Sequence, residues 1–310
     1  MRRSSIRALL LLSLALVAVP VVAQAQRRRQ RDEDQHAIQV NGRERSYVVR
    51  APRDRSGPFP VVIVLHGGGG NATNAEMMSG FTRLVEREGL VAVYPNGSGR
   101  LGERLLTWNA RHCCGYAMDQ RVDEVAFIDA MLDALAREFP VDLQRVYISG
   151  MSNGAMMTHR LAAELRHRPA AIAPVVGAVF GDEGPPASAV SAIIFNGLKD
   201  RAVPAAGGLG SGVGRRAWDG VPPAPNDAQG EYWRRAGGCE PTARVTDGSR
   251  VISKAWTCPG EIAVELHQIK DGAHAWPGGR AGRERGDAPS DAIDATAVMW
   301  EFFRTKRTRP

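Results

Sequence analysis

The residues best placed to do chemistry surround a serine that lies between two glycines. Gly150-Met-Ser-Asn-Gly154 matches the pattern G-x-S-x-G, with a strand-like run before it and a helix-like run after it. The glycines permit a strained turn that exposes the serine hydroxyl. A plain strand-to-helix turn is the alternative, because about one chain in ten of this length would contain the pattern by chance. The position of the pattern between strand and helix favours Ser152 as a nucleophile.

A serine nucleophile needs a base, and that base needs an orienting acid. For a serine on such a turn the chain order is Ser, Asp or Glu, His, which leaves only His267 and His274. His159 and His167 follow Ser152 too soon. His267 lies inside the last strand-like run and reads as a partly exposed strand residue. His274 lies in the loop after that run, where an imidazole can swing over the sheet, so we predict His274 as the base.

The acid is expected just past an apolar strand. Asp200 holds such a position, and Val203-Pro204 after it fix the exit of its loop. Asp182 ends the preceding apolar run and is the second candidate, while either residue could be an ordinary turn aspartate. Asp271 is too close to His274 along one loop for the usual geometry. We predict Asp200 as the acid.

An acyl-transfer intermediate also needs backbone N–H donors for its oxyanion, and losing one donor typically costs about 3–4 kcal/mol. Asn153 follows the serine and supplies one candidate N–H. The run His66-Gly-Gly-Gly-Gly70 follows an apolar strand directly and resembles the HGGG type of oxyanion loop. Gly68 is the first choice for the second donor and Gly69 the second choice. The alternative, a flexible glycine turn, does not explain the placement right after Leu65.

Two tryptophans flank these motifs in the sequence. Trp108 and Trp276 are each candidates for a stacking wall against an aromatic or sugar ring, and core packing is an equally good interpretation of each. Asn109 and Asp123 are read as structural residues.

The elements that must position these residues alternate along the chain. Apolar strand-like runs and segments with helical spacing predict an α/β fold with a mostly parallel central sheet and helices on both faces. In such sheets, sites form at the carboxyl ends of the strands. The glycine- and proline-rich stretch 201–225 predicts a long loop. Strands are predicted at 45–51, 60–65, 90–94, 145–149, 170–179, 189–195 and 262–269, and helices at 73–88, 122–139 and 292–304.

The beginning of the chain has the composition of a targeting segment. Residues 1–25 combine an arginine-rich start, an apolar stretch and an A-x-A ending, which predicts a secretory signal peptide. Residues 26–38 are charged and predict a linker, and residues 39–310 predict a single catalytic domain. No other stretch is long and apolar enough to span a bilayer. We therefore expect a secreted protein, periplasmic or extracellular, without a membrane anchor.

Charge and cysteines narrow the function classes. The formal net charge is +7, with much of the excess in arginine-rich tails, and basic residues do not interleave with aromatics as a nucleic-acid surface requires. No spacing typical of a metal site occurs.

The four cysteines of an exported chain predict disulfides. Cys239–Cys258 is the simplest pairing, which leaves Cys113 and Cys114 as a vicinal pair or as free thiols. The oligomeric state stays open.

Several longer motifs carry a family resemblance. The chain resembles the polyhydroxybutyrate depolymerase/feruloyl esterase family, which belongs with carbohydrate esterase family 1 type α/β-hydrolases. The motifs are LHGGGGNA at 65–72, YPNG at 94–97, WNARHCCG at 108–115, VDEVAFI at 122–128, YISGMSNGAMM at 147–157, NGLKDRAVP at 196–204 and GAHAWPGG at 272–279.

The resemblance implies an α/β-hydrolase with Ser152 as nucleophile, Asp200 as acid and His274 as base, in agreement with the chain-order argument. It implies no metal or organic cofactor, and a partner that is an ester substrate. Depolymerases often carry cysteine where this chain has Gly68, so the feruloyl or acetyl ester side of the family is favoured. The alternatives are hydrolysis of polyhydroxybutyrate or its oligomers, and acyl transfer to a sugar on the same scaffold.

Overall fold

The computed structural model describes residues 34–211, 214–282 and 286–308. The segment expected to be a signal peptide, residues 1–25, lies outside the described residues, as does most of the expected linker. From Ala37 onward the described chain forms one compact unit.

The centre of this unit is a single sheet. In the described chain its ten strands run in the order β1-β2-β4-β3-β5-β6-β7-β10-β9-β8. Pairing is parallel from β4 through β3, β5, β6 and β7 to β10, and antiparallel between β2 and β4, β10 and β9, and β9 and β8. The strands are β1 Gln35–Val40, β2 Arg43–Arg50, β3 Phe59–Leu65, β4 Val91–Pro95, β5 Val141–Met151, β6 Ala171–Val175, β7 Ser191–Gly197, β8 Arg244–Asp247, β9 Val251–Trp256 and β10 Val264–Ile269.

Helices cover both faces of the sheet, as the alternation of elements predicts. Alternate residues of β3 point into two separate hydrophobic cores, one on each face of the sheet. Val61 and Ile63 belong to one core, and Val62 and Val64 belong to the other. Each of these side chains is fully buried, which stabilises the fold by about 1.5–3 kcal/mol per residue. The helices are α1 Ala72–Ser79, α2 Val85–Glu88, α3 Gly115–Asp119, α4 Glu124–Glu138, α5 Asn153–Glu164, α6 Asp227–Ala236 and α7 Ala295–Phe303.

The helix predicted at 73–88 is wrong as a single helix. Gly80 adopts a left-handed conformation with φ 67° and ends α1, a 3₁₀ turn follows over Phe81–Leu84, and α2 then runs to the left-handed Gly89. The N-cap is Asn71, whose side chain accepts the N–H of Asn74, so the helix begins slightly before the predicted residue 73. Helical spacing continues across Gly80, so periodicity alone does not register the break.

Other elements begin or lie where the sequence signal is weak. Strand β1 begins at Gln35, inside the stretch 26–38 that was expected to be a linker. Its residues alternate between exposed and half-buried, so it lacks the apolar run of a central strand. Helix α6 was not predicted, because its sequence is mostly polar. The polar sequence between Cys239 and Cys258 is typical of a hairpin, and it forms β8–β9, with β8 exposed along its whole length.

Within 34–211, 214–282 and 286–308, none of the helices combines the length and the apolar character that crossing a bilayer requires.

Candidate active site

Ser152 lies on a strained turn between β5 and α5. Its φ of 57° and ψ of −121° are unusual for a residue with a side chain, and such a conformation typically costs about 1–3 kcal/mol. Its N–H donates to the Val175 carbonyl at 2.9 Å, and its own carbonyl accepts the N–H of Met156 at 3.0 Å. These bonds hold the turn, so Ser152 projects from the carboxyl end of β5.

The two glycines beside Ser152 are required by close backbone approach. A methyl group built on Gly150 would lie 2.5 Å from the Gly154 carbonyl oxygen, and one built on Gly154 would lie 2.5 Å from the His66 carbonyl oxygen. Atoms without a covalent bond do not approach so closely. The first helical turn of α5 can therefore touch the end of β3 only because both positions lack a side chain.

His274 and Asp200 meet at the carboxyl ends of β10 and β7. The Nδ1 atom of His274 lies 2.7 Å from Oδ2 of Asp200, whose side chain is almost fully buried. The other carboxylate oxygen accepts the N–H groups of Ala202 and Val203, each at 2.8 Å. An Nδ1–H that donates to a fixed carboxylate leaves the Nε2 lone pair of His274 available as a base.

A further close approach brings the acid and histidine loops together. A methyl group built on Gly197 would lie 2.4 Å from the Gly272 carbonyl oxygen. That carbonyl also accepts the N–H of Lys199 at 2.8 Å. The contact of these two loops sets the position of His274 relative to Asp200.

Ser152 and His274 line one cavity of about 570 Å³. This size lies in the range of small-molecule sites. Its wall includes three methionines and both adjacent cysteines. The lining includes Gly68, Cys113, Ser152, Ser211, Trp218 and His274.

The loop after β3 is shaped by a buried histidine. The ring of His66 is fully buried; its Nδ1 lies 2.8 Å from the Gly67 carbonyl, and the N–H of Gly97 donates to its Nε2 at 3.0 Å. Because Nε2 accepts a hydrogen bond, the proton of this neutral imidazole is assigned to Nδ1. His66 thereby links the glycine loop to the turn after β4.

Two backbone amides of this glycine loop have partners within the protein. The N–H of Gly69 donates to the Leu106 carbonyl at 2.7 Å, and that of Gly70 donates to the Gly67 carbonyl at 2.9 Å. Gly68 borders the cavity, and a methyl group built on it would lie 3.7 Å from Cβ of Asn153. The amide of Gly69, the second choice from sequence, is therefore already engaged within the protein.

Trp108 lies beneath the site. Its ring is fully buried and does not border the cavity, and its indole N–H donates to the His66 carbonyl at 3.0 Å. The side chain of Asn153 accepts the backbone N–H of Trp108 at 2.7 Å and donates to its carbonyl at 3.0 Å. Of the two interpretations from sequence, core packing fits this position. Trp108 joins the start of α5 to the glycine loop.

A buried ion pair lies behind the turn after β4. Arg45 donates to the Glu124 carboxylate at 2.6 Å and to the Asn96 carbonyl at 3.2 Å, and both charged side chains are buried. Burial raises the pKa of Glu124, and the charge of Arg45 opposes that shift. No local pattern in the sequence predicts this pair, which supports the turn that contacts His66.

The second predicted tryptophan occupies an intermediate position. Trp276 borders the cavity, yet its ring has no exposed surface, and its indole N–H donates to the Thr296 hydroxyl at 2.9 Å. It therefore packs between the histidine loop and α7.

A third tryptophan, which the sequence analysis did not single out, also lines the cavity. This residue is Trp218, in the long loop 201–225.

The remaining candidate acids and bases have other partners. Asp182 contacts His112 at 2.8 Å, and Asp271 pairs with Arg250. His267 contacts the Ser253 hydroxyl at 2.9 Å and lies on β10, as its interpretation as a strand residue expects.

Two disulfides are present. Cys239 and Cys258 are bonded at 2.00 Å and connect the segment after α6 to the end of β9, and the adjacent Cys113 and Cys114 are also joined. Among the residues that the structure describes, no cluster of histidine, cysteine, aspartate or glutamate could hold a metal ion.

Comparison with known proteins gives consistent results. Residues 46–228 match the family described as Esterase PHB depolymerase. The chain is 29% identical over 141 residues to the bifunctional acetylxylan esterase/xylanase XynS20E of Neocallimastix patriciarum, covering 45% of this chain and 19% of that protein. It is 26% identical over 248 residues to feruloyl esterase B of Piromyces equi, covering 77% of this chain and 44% of that protein. The chain thus spans less than half the length of each of these two relatives.

A solved structure extends the similarity to the fold. The acetyl xylan esterase from Aspergillus awamori superimposes with a TM-score of 0.58 at 14% identity, over 78% of this chain and 94% of that one. Identity this low carries information about the fold alone. The fold is that of an α/β-hydrolase, with a mostly parallel sheet between two layers of helices.

Proposed function

The chain belongs to the Esterase PHB depolymerase family, and from this premise we propose that it is an ester hydrolase whose reaction is carried out by Ser152, His274 and Asp200. One observation carries the proposal above the others. The His274 imidazole is bonded to the buried Asp200 carboxylate at 2.7 Å and borders the same cavity as Ser152 on its strained turn.

The reaction follows from these positions. Nε2 of His274 takes the proton of the Ser152 hydroxyl as the oxygen attacks the ester carbonyl, and the imidazolium then gives that proton to the leaving alcohol. Asp200 stabilises the imidazolium and fixes its orientation. Water, activated by the same imidazole, hydrolyses the acyl-enzyme and restores the Ser152 hydroxyl.

The oxyanion is stabilised by two backbone amides. Asn153 is the first residue of α5, and the first N–H groups of a helix have no partner within the helix. The Gly68 amide is the second donor, supported by the nearness of Gly68 to Asn153 and by the engagement of Gly69 with Leu106. Removing one such donor typically lowers kcat by about 10²–10³.

The substrates are carboxylic esters on plant polysaccharide, with feruloyl or acetyl groups as the acyl part. The names of the relatives, a feruloyl esterase and an acetylxylan esterase/xylanase, support this class. A cavity of about 570 Å³ with methionine and tryptophan in its wall suits an aromatic acyl group better than acetyl alone.

Hydrolysis of polyhydroxybutyrate or its oligomers is the second candidate, and the description of the matching family favours it.

Export of the protein is part of the proposal. It is supported by the composition of residues 1–25 and by the disulfides, which persist in oxidising compartments. Sequencing the amino terminus of protein recovered outside the cytoplasm would test cleavage near Ala25.

The decisive experiment compares hydrolysis of methyl ferulate, acetylxylan and a hydroxybutyrate trimer by the parent protein and by two serine variants. Ser152→Ala should lose about 10⁶ in kcat, because residues of such a triad act as a unit. Ser211→Ala, which alters another cavity-lining serine, should stay within about threefold of the parent on every ester, because Ser211 has no role in the chemistry.

The outcomes are distinguishable. If Ser152→Ala keeps parental activity, the mechanism is refuted. If the trimer is hydrolysed much faster than both polysaccharide-type esters, the polyester assignment replaces the substrate class. Free acetate or ferulate measured with and without an acceptor sugar reports transfer in place of hydrolysis.

A further inference from the structure

One wall of the cavity is formed by a tryptophan from the long loop between β7 and α6. Trp218 borders the cavity together with Ser152, His274 and the neighbouring Cys113. The ring has about 8% of its surface exposed, so most of it is packed. Its indole N–H has no hydrogen-bond partner in the part of the chain that the structure describes. The position of the ring is therefore set by the backbone around it and by the side chains against which it packs.

The backbone around Trp218 is attached to the loop that carries the adjacent cysteines. Trp218 forms an antiparallel bridge with Cys113. The next residue, Asp219, donates its N–H to the His112 carbonyl at 3.3 Å. The attachment thus involves residues 112–113 on one side and 218–219 on the other.

A histidine between two carboxylates reinforces this attachment. Nδ1 of His112 lies 2.7 Å from Oδ2 of Asp219, and Nε2 lies 2.8 Å from Oδ2 of Asp182. Both contacts are satisfied at once only by the imidazolium, which has two N–H donors. Partial burial disfavours that charged form, but the hydrogen bonds that His112 donates to Asp219 and Asp182 outweigh it and raise the pKa of His112.

The same histidine is packed against the aromatic residues around Trp218. The His112 ring meets Phe180 edge-on at 5.0 Å between centroids, and Phe180 meets Trp218 edge-on at 6.4 Å. Asp182 lies two residues beyond Phe180. Segments 112–113, 180–182 and 218–219 therefore all contact one another at His112.

We infer that Trp218 is the wall on which the aromatic acyl ring of the substrate stacks, and that His112 is the positioning residue that holds this wall by bridging Asp182 and Asp219. The inference rests on the proposed function, because it concerns which esters the same cavity accepts. It predicts a preference for cinnamoyl-type over acetyl esters that depends on Trp218 and not on the catalytic residues.

Steady-state kinetics on methyl ferulate and on ethyl acetate test the inference. Trp218→Leu should raise KM for methyl ferulate by about tenfold or more, and kcat/KM for ethyl acetate should change by less than about threefold, because that ester has no ring to stack. Trp218→Phe should recover most of the loss. Trp256→Leu is the matched control, since Trp256 has the same 8% exposure as Trp218 but does not border the cavity.

A double-variant cycle tests the role of His112. His112→Ala should raise KM for methyl ferulate by about threefold or more with little change in kcat for ethyl acetate. In the Trp218→Leu background the same change should have no further effect, because the residue that His112 positions is absent. A merely structural role would give an equal, additive loss for both esters in both backgrounds.

Binding to the Ser152→Ala variant separates the inference from the proposed mechanism. Calorimetric titration with methyl ferulate should give a Kd that Trp218→Leu weakens by about tenfold. An unchanged Kd, a parental ratio of ferulate to acetate activity in both Trp218 variants, or no binding of methyl ferulate would overturn the inference. Failure of the mechanism would instead show as Ser152-independent hydrolysis. If Trp218→Leu does not fold, His112→Ala still decides the outcome, because an unchanged KM for methyl ferulate in that variant overturns the inference.

Discussion

Adding one methyl group at Gly154 should disable the site while leaving the fold largely intact. Gly154 lies inside α5, where alanine is preferred over glycine by about 1 kcal/mol. A Cβ at this position, however, would lie 2.5 Å from the His66 carbonyl oxygen and 2.6 Å from that of Leu65. Both obstacles are backbone atoms that no side-chain rotation can move. Relief to ordinary contact therefore requires about 1 Å of separation between α5 and the end of β3.

That displacement separates the two elements that carry the proposed oxyanion donors. Asn153 precedes Gly154 on α5, and Gly68 follows His66 on the loop. A misplacement of about 1 Å typically costs about 10² in rate, so kcat for the preferred ester should fall about 100-fold. Overpacking costs about 1–3 kcal/mol, which the gain in helix propensity partly offsets, so the free energy of unfolding should fall by no more than about 2 kcal/mol.

The assay pairs Gly154→Ala with Gly184→Ala. A methyl group at Gly184 has no atom within 4 Å, so this variant should match the parent in kcat, KM and urea denaturation. The reasoning is refuted if folded Gly154→Ala retains kcat within about twofold of the parent. It is also refuted if the loss of activity is matched by loss of the folded state, because the effect would then be global and not local to the oxyanion loop.

Three further predictions follow from individual contacts. Asp200→Asn should lower kcat by about 10⁴, because the amide no longer selects the Nδ1–H form of His274; a loss below about tenfold in steady-state assays would contradict this role. His159 is buried between Gln229 and the indole N–H of Trp233, and burial lowers its pKa below the usual 6.5. Its neutral form contributes stability that is complete above about pH 6.5 and is lost at up to ~1.4 kcal/mol per unit as pH falls toward the lowered pKa. Urea titrations of the parent against His159→Gln should therefore show a steeper acid loss in the parent, and parallel curves would count against it. Cys258→Ser opens a cross-link between residues 19 apart in sequence and should lower the free energy of unfolding by about 3 kcal/mol, a loss that a reductant should reproduce in the parent but not deepen in the variant.

The candidate nucleophile, acid and base could be predicted from the sequence because each is marked by its local sequence context. Each candidate residue is recognised from a few neighbouring residues. The serine lies between glycines at a strand-to-helix boundary, the aspartate lies just past an apolar strand, and the histidine lies just past the last strand. Parallel strands align their carboxyl ends at one edge of the sheet, so such residues converge even though they are far apart in the chain. The family, the fold and the ester chemistry could all be argued from these signals.

Contacts between distant segments decided the rest. Whether Trp108 packs under the site or lines it depends on where the loop carrying it meets Asn153, and neither local sequence specifies that meeting. Trp218 lies in a glycine- and proline-rich loop without periodicity, so only the bridge to Cys113 and the ion pairs of His112 bring it to the cavity. Local propensity and apolar spacing act over a few residues, so they determine where the strands and turns that carry Ser152, Asp200 and His274 lie along the chain. The shape of the cavity arises from side chains of unrelated segments filling a shared space, which only the tertiary structure defines.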